Sequence, residues 1–133
     1  MKNLKNKIAI VVALVLGTVF TSNAQAKIDQ STSKVVSLAQ VKGEFIQKKL
    51  TLKQGTYVFE ITNKNVGHDV GFVLVKKGED ISKPENHIKT AYVTKAVATG
   101  TSEKSKATVL EKGDYVYFCP LNPTATNNTI SVN

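Results

Sequence analysis

The chain has no tryptophan and no arginine, and it contains one cysteine, two histidines and three prolines in 133 residues. Each scarcity excludes something. Without arginine there is no bidentate fork for phosphate, so the cationic surface is built from eighteen scattered lysines. Their densest clusters are pairs, Lys48-Lys49 and Lys76-Lys77, and no basic stripe interleaves with aromatics. Nucleic-acid binding is therefore not expected, and the lysines read as a solvated basic surface. One cysteine, Cys119, cannot form an internal disulfide. Two histidines and one thiol, with no base–nucleophile pair visible by spacing, give no catalytic set, so the reading is non-enzymatic.

A long apolar run is present only at the start. Lys2, Lys5 and Lys7 precede an apolar stretch from Ile8 to Phe20, and the small-residue triplet Ala24-Gln25-Ala26 follows a short polar segment. This three-part order is that of a secretory signal peptide, with an apolar core too short to span a bilayer comfortably. Cleavage is expected after Ala26, which removes 26 of 133 residues and leaves a 107-residue domain, 27–133, for the periplasm or the exterior. That length suits one domain, with no membrane anchor in the mature form. Three lysines leave with the leader, so 15 lysines face 10 acids, a balance of +5. In an oxidising compartment a lone thiol is a liability unless it is buried, paired between chains or bound to metal.

The remainder reads as short strands separated by turn residues. Val35, Val36, Leu38 and Val41 open the series, then Phe45, Ile46, Leu50 and Leu52. Thr56 to Thr62 alternates, with Tyr57, Phe59 and Ile61 on one face and Glu60 and Thr62 on the other, as a half-buried strand requires. His68 is expected to open a further run through Val70, Phe72, Val73, Leu74 and Val75. Residues 78–106 form a polar excursion carrying Pro84 and an apolar patch at Ile88, Ala91, Tyr92 and Val93. About seven short strands predict an all-β Greek-key sandwich.

The most informative segment is Gly113-Asp114-Tyr115-Val116-Tyr117-Phe118-Cys119-Pro120-Leu121-Asn122-Pro123. Tyr115, Tyr117 and Cys119 share strand parity, and two prolines stiffen the loop that follows. A buried tyrosine at such a place is expected to bond its hydroxyl back to the backbone. The stretch resembles the C-terminal ligand loop of cupredoxins, and Thr62-Asn63-Lys64-Asn65-Val66-Gly67-His68 resembles the Asn-rich turn that carries their first histidine ligand. The likeness covers most of residues 35–133 and is weakest over 78–106.

That resemblance implies copper, held by Cys119 as thiolate and His68 as imidazole, and a redox or metal-transfer protein as partner. It also exposes a departure. Asn122 stands where the second histidine ligand belongs, and Ala125 or Asn127 where the axial methionine would fall. Blue-copper electron transfer needs two imidazoles, a thiolate and a weak axial ligand. The expectation is therefore a non-standard Cys119/His68 site suited to metal handling rather than electron transfer, with Asn122 and His87 as further candidate ligands. Asp69, Glu44 and Glu60 are candidate oxygen donors. The competing reading is a cupredoxin-fold binding or structural module without metal. An immunoglobulin-type sandwich, raised by Asp114-x-x-x-x-Cys119 with its tyrosines, fails for want of a second cysteine and a tryptophan.

Overall fold

The computed structural model describes residues 33–133, so the expected leader and its cleavage site lie outside the described residues. Among the described residues nine strands form two sheets: β1 (Lys34–Val41), β2 (Glu44–Phe45), β3 (Lys49–Leu52), β4 (Gly55–Asn63), β5 (Val73–Lys76), β6 (Ser102–Lys104), β7 (Thr108–Leu110), β8 (Gly113–Phe118) and β9 (Asn128–Val132). One sheet runs β2-β1-β4-β6, with β7 also paired to β4. The other runs β3-β9-β8-β5. The pairs β1/β4 and β3/β9 are parallel, and the remaining pairs are antiparallel. The molecule is the β-sandwich that the run of short strands predicts. No helix among the described residues is long and apolar enough to cross a membrane.

Alternation decides which faces meet. In β1, Val36, Leu38 and Gln40 point inward while Val35 is exposed. In β4, Tyr57, Phe59 and Ile61 supply the facing side, and Tyr115, Tyr117, Ile130 and Val132 answer from the second sheet. At the centre Phe72 packs against Phe45, Phe59 and Tyr117, with ring centroids 6.1, 5.1 and 5.8 Å away. These rings come from both sheets, so the aromatic cluster fastens the sandwich.

Two tyrosines close corners. The Tyr115 hydroxyl donates to the Glu111 carbonyl at 3.0 Å, as expected from its place before Cys119. Tyr57 does the same to Lys53 at 2.7 Å. Tyr117 reaches farther and donates to the Gln47 carbonyl at 2.5 Å. Burial pushes the Tyr117 phenol from 10.0 up to about 12, because the charged phenolate loses its hydration. A raised folded-state value means the native state holds this proton when the unfolded chain has lost it. The stabilisation is thus fully present below pH 10 and is lost as pH rises towards about 12. Tyr117→Phe should flatten that segment of the stability profile relative to wild type, measured as urea midpoints at pH 9 and pH 11.5.

The strand expected to open at His68 begins instead at Val73. Residues 64–72 form a structured loop, tied by an isolated bridge between Val70 and Val97. Its conformation comes from Asn63, whose side chain accepts from the Val66 N–H at 3.0 Å and donates to the His68 and Val97 carbonyls at 2.8 and 2.9 Å. Asn65 takes a left-handed φ of 57° there, which asparagine tolerates better than most residues.

The 78–106 excursion is more ordered than its polar sequence suggests. It contains 3₁₀ turns at Pro84–Asn86 and Lys89–Ala91 and the short β6. Ile81 and Tyr92 cover Val73, Val75, Val116 and Phe118 on the outer face of β5 and β8. This explains why Val73, Leu74 and Val75 are apolar without alternation: that strand is buried on both sides.

Candidate metal centre at the Cys119 loop

β8 delivers Cys119 to the end of the sandwich, where the residue is only 4% exposed. Three backbone N–H groups converge on Sγ: Asn122 at 3.2 Å, Gly71 at 3.3 Å and Leu121 at 3.4 Å. Two come from the loop that follows Cys119, and the third arrives from the loop that carries His68. The Thr124 hydroxyl accepts the Cys119 N–H at 3.1 Å and donates to the Ala125 carbonyl at 3.1 Å, which folds the proline-containing loop back on itself.

His68 sits on this neighbouring loop, three residues before Gly71, with its ring exposed. Its Nδ1 lies 2.9 Å from the Asp69 carbonyl. A carbonyl only accepts, so Nδ1 carries a proton, and in the neutral ring Nε2 keeps the lone pair.

Asn122 and His87 are engaged elsewhere. Asn122 is fully buried, and its Oδ1 accepts the Gly43 N–H at 2.8 Å. Its Nδ2 donates to Gln40 Oε1 at 3.0 Å and to the Val41 carbonyl at 2.9 Å. His87 belongs to the excursion. Its Nε2 donates to the Ile81 carbonyl at 2.9 Å, and Nδ1 accepts from the Tyr92 hydroxyl at 2.7 Å. The His87 ring packs edge-on against Tyr92 and Phe118. It also borders a groove of about 360 Å³ that includes Gly71 and Pro120. Of the carboxylates, Glu44 pairs with Lys48, Glu60 accepts from the Ser37 hydroxyl at 3.2 Å, and Asp69 is exposed beside His68. Among the described residues, no group of three or more His, Cys, Asp or Glu side chains is placed to hold a metal ion.

Gln40 is the residue that the sequence reading passed over. Its signal was available: it continues the inward parity of Val36 and Leu38, and a polar side chain at a core position must find partners. It is fully buried and donates to the Gly71 carbonyl at 2.8 Å.

The family model for copper binding proteins of the plastocyanin/azurin family matches residues 23–133. The chain belongs to that family, the cupredoxins. Among solved structures, auracyanin B superposes with a TM-score of 0.62 at 20% identity, covering 80% of this chain and 93% of its own. Auracyanin A, a "blue" copper protein from Chloroflexus aurantiacus, gives 0.55 at 19% identity, covering 74% and 98%. Dithionite-reduced auracyanin from Roseiflexus castenholzii gives 0.51 at 22% identity, covering 76% and 98%. A comparison with curated protein sequences returned no match.

The donor set does not fit a blue-copper centre. Asn122, where the resemblance to cupredoxins would place the second imidazole, is an amide whose donors are both spent inside the protein, and no methionine follows it.

Proposed function

We propose that this is an exported, non-enzymatic cupredoxin that binds copper through Cys119 and His68 for metal handling rather than for electron transfer. The observation that carries the reading is the convergence of three N–H donors on the Cys119 sulfur. Such donors complement the negative charge that a cysteine carries as a metal ligand. His68 supplies Nε2 from the adjacent loop. Asn122 and His87 serve as hydrogen-bonding residues in this reading, not as ligands. A low-coordinate Cu(I) leaves positions open for a ligand from a metal-transfer partner, which favours passing the ion on. Export rests on the leader pattern of residues 1–26, with 27–133 as the mature domain.

The test is a Cu(I) titration under anaerobic conditions against a chromophoric chelator, with wild type and His68→Ala in parallel. One equivalent should be retained by wild type, and His68→Ala should bind it roughly 10–100-fold more weakly, the loss expected when one of two ligands is removed. Cu(II) should give no intense blue thiolate band. If wild type retains no Cu(I) and its melting temperature does not move on copper addition, the copper reading fails.

The second reading, a metal-free cupredoxin-fold module, is favoured by the complete internal satisfaction of Asn122. It predicts that failed titration, together with an undisturbed fold.

A further inference from the structure

The hydrogen bonds around Cys119 form a closed circuit. The Gly71 N–H donates to Sγ at 3.3 Å, and the Gly71 carbonyl accepts from Gln40 Nε2 at 2.8 Å. Gln40 Oε1 accepts from Asn122 Nδ2 at 3.0 Å, and the Asn122 N–H returns to Sγ at 3.2 Å. The circuit joins β1, the loop before β5 and the loop after β8. A second branch from Asn122, to the Val41 carbonyl and the Gly43 N–H, fastens the turn between β1 and β2. Gln40, Gly71, Cys119 and Asn122 are all buried.

We infer that the Gln40–Asn122 amide pair is a metal-independent clasp that fixes the Cys119 loop against the opposite sheet. The physical case rests on how amides behave when buried. Each carries both donors and an acceptor, and any left without a partner in the interior is costly. Here each amide satisfies the other while using its remaining groups on backbone that would otherwise lose hydrogen bonds. In a loop closed by metal bonds, the ion ties the chain segments together. In this chain the amides tie the corresponding segments, so the three N–H groups on Cys119 are preset before any ion arrives. Asn122 and Gln40 are thus positioning residues for the sulfur. The clasp is independent of the copper reading and would hold in a metal-free module equally.

Hydrogen exchange and thiol accessibility on the metal-free protein test this. Gln40→Met keeps the side-chain volume and removes the amide, while Asn122→Ala removes the other half. Gln40→Met should speed exchange at the Leu121 amide and alkylation of Cys119 by iodoacetamide by roughly tenfold or more. Asn122→Ala, which removes three side-chain bonds, should do so by more and also speed exchange at the Gly43 amide. The double variant should fall short of the sum of the two single effects, because the pair shares one bond, and should exceed Asn122→Ala by the loss of the Gln40–Gly71 bond. Ile130→Val, a core change remote in chemistry from the clasp, serves as the control for general loosening. The inference is overturned if exchange and alkylation are unchanged in the variants, or if they rise uniformly across the domain as in Ile130→Val. Should Asn122→Ala fail to fold, Gln40→Met decides, since Asn122 then keeps its bonds to Gly43 and Val41. A failed copper titration would leave these outcomes untouched.

Discussion

Phe72→Ala should destabilise the domain by about 3–5 kcal/mol, the range for truncating a buried phenylalanine to alanine. The ring is almost fully buried, and its contacts with Phe45, Phe59 and Tyr117 span both sheets. Removing it costs the transfer energy of the ring and leaves a cavity that two hydrogen-bonded sheets cannot close easily. A domain of this size has a total stability of about 5–15 kcal/mol, so the variant should lie near its unfolding threshold. Phe72 also follows Gly71 directly, so the loss should be felt at the Cys119 sulfur. Urea denaturation at neutral pH measures the effect, and a loss below about 1 kcal/mol would mean that the cluster does not anchor the sandwich. Phe72→Leu, which fills most of the space, should recover part of the loss.

Cys119→Ser should leave the fold close to wild type and lower Cu(I) affinity by about a thousandfold or more, since a hydroxyl is a poor ligand for a soft ion. Serine retains an acceptor near the Gly71, Leu121 and Asn122 N–H groups. Alanine retains none and strands them, so Cys119→Ala should cost an additional 1–3 kcal/mol or so. Comparing the two separates the coordinating role of the sulfur from its role as acceptor. Chelator competition gives the affinity, and thermal melts of the metal-free variants give the stability. If Cys119→Ser binds Cu(I) as wild type does, copper is held elsewhere.

Copper binding and the clasp make different demands on the same loop. The clasp accounts for the burial of Cys119 and of Asn122. His68 stands outside the circuit, on an exposed loop shaped by Asn63. Loss of His68 should therefore affect metal retention with little change in loop stability, whereas loss of Gln40 should loosen the loop itself.

Much of the architecture was legible in the chain. The alternation of Tyr57, Phe59 and Ile61 marked β4, and the shared parity of Tyr115, Tyr117 and Cys119 placed all three in the core. Strand period is a local property, so the pattern survives without knowledge of partners. The residues after His68 misled because Val70 and Phe72 are buried by a loop rather than by a ladder, and burial alone does not distinguish the two. The order in 78–106 was hidden for a related reason: its few apolar residues acquire meaning only against the outer face of β5 and β8.

The Cys119 loop divides in the same way. The sequence by itself determined the fold class, the position of the thiol at a strand end, and the absence of a second imidazole and of a thioether at their places. The first two follow from residue identity and short-range spacing, and the last from the resemblance of the 113–123 loop to that of cupredoxins. Tertiary structure decided what Asn122 does, because Gln40, Val41 and Gly43 lie 82, 81 and 79 residues away along the chain. It also decided that His87 spends both ring nitrogens in its own excursion, while His68 keeps one for solvent. A polar side chain's role is fixed by the partner it meets when buried, and that partner is set by the packing of sheets, not by its neighbours in sequence.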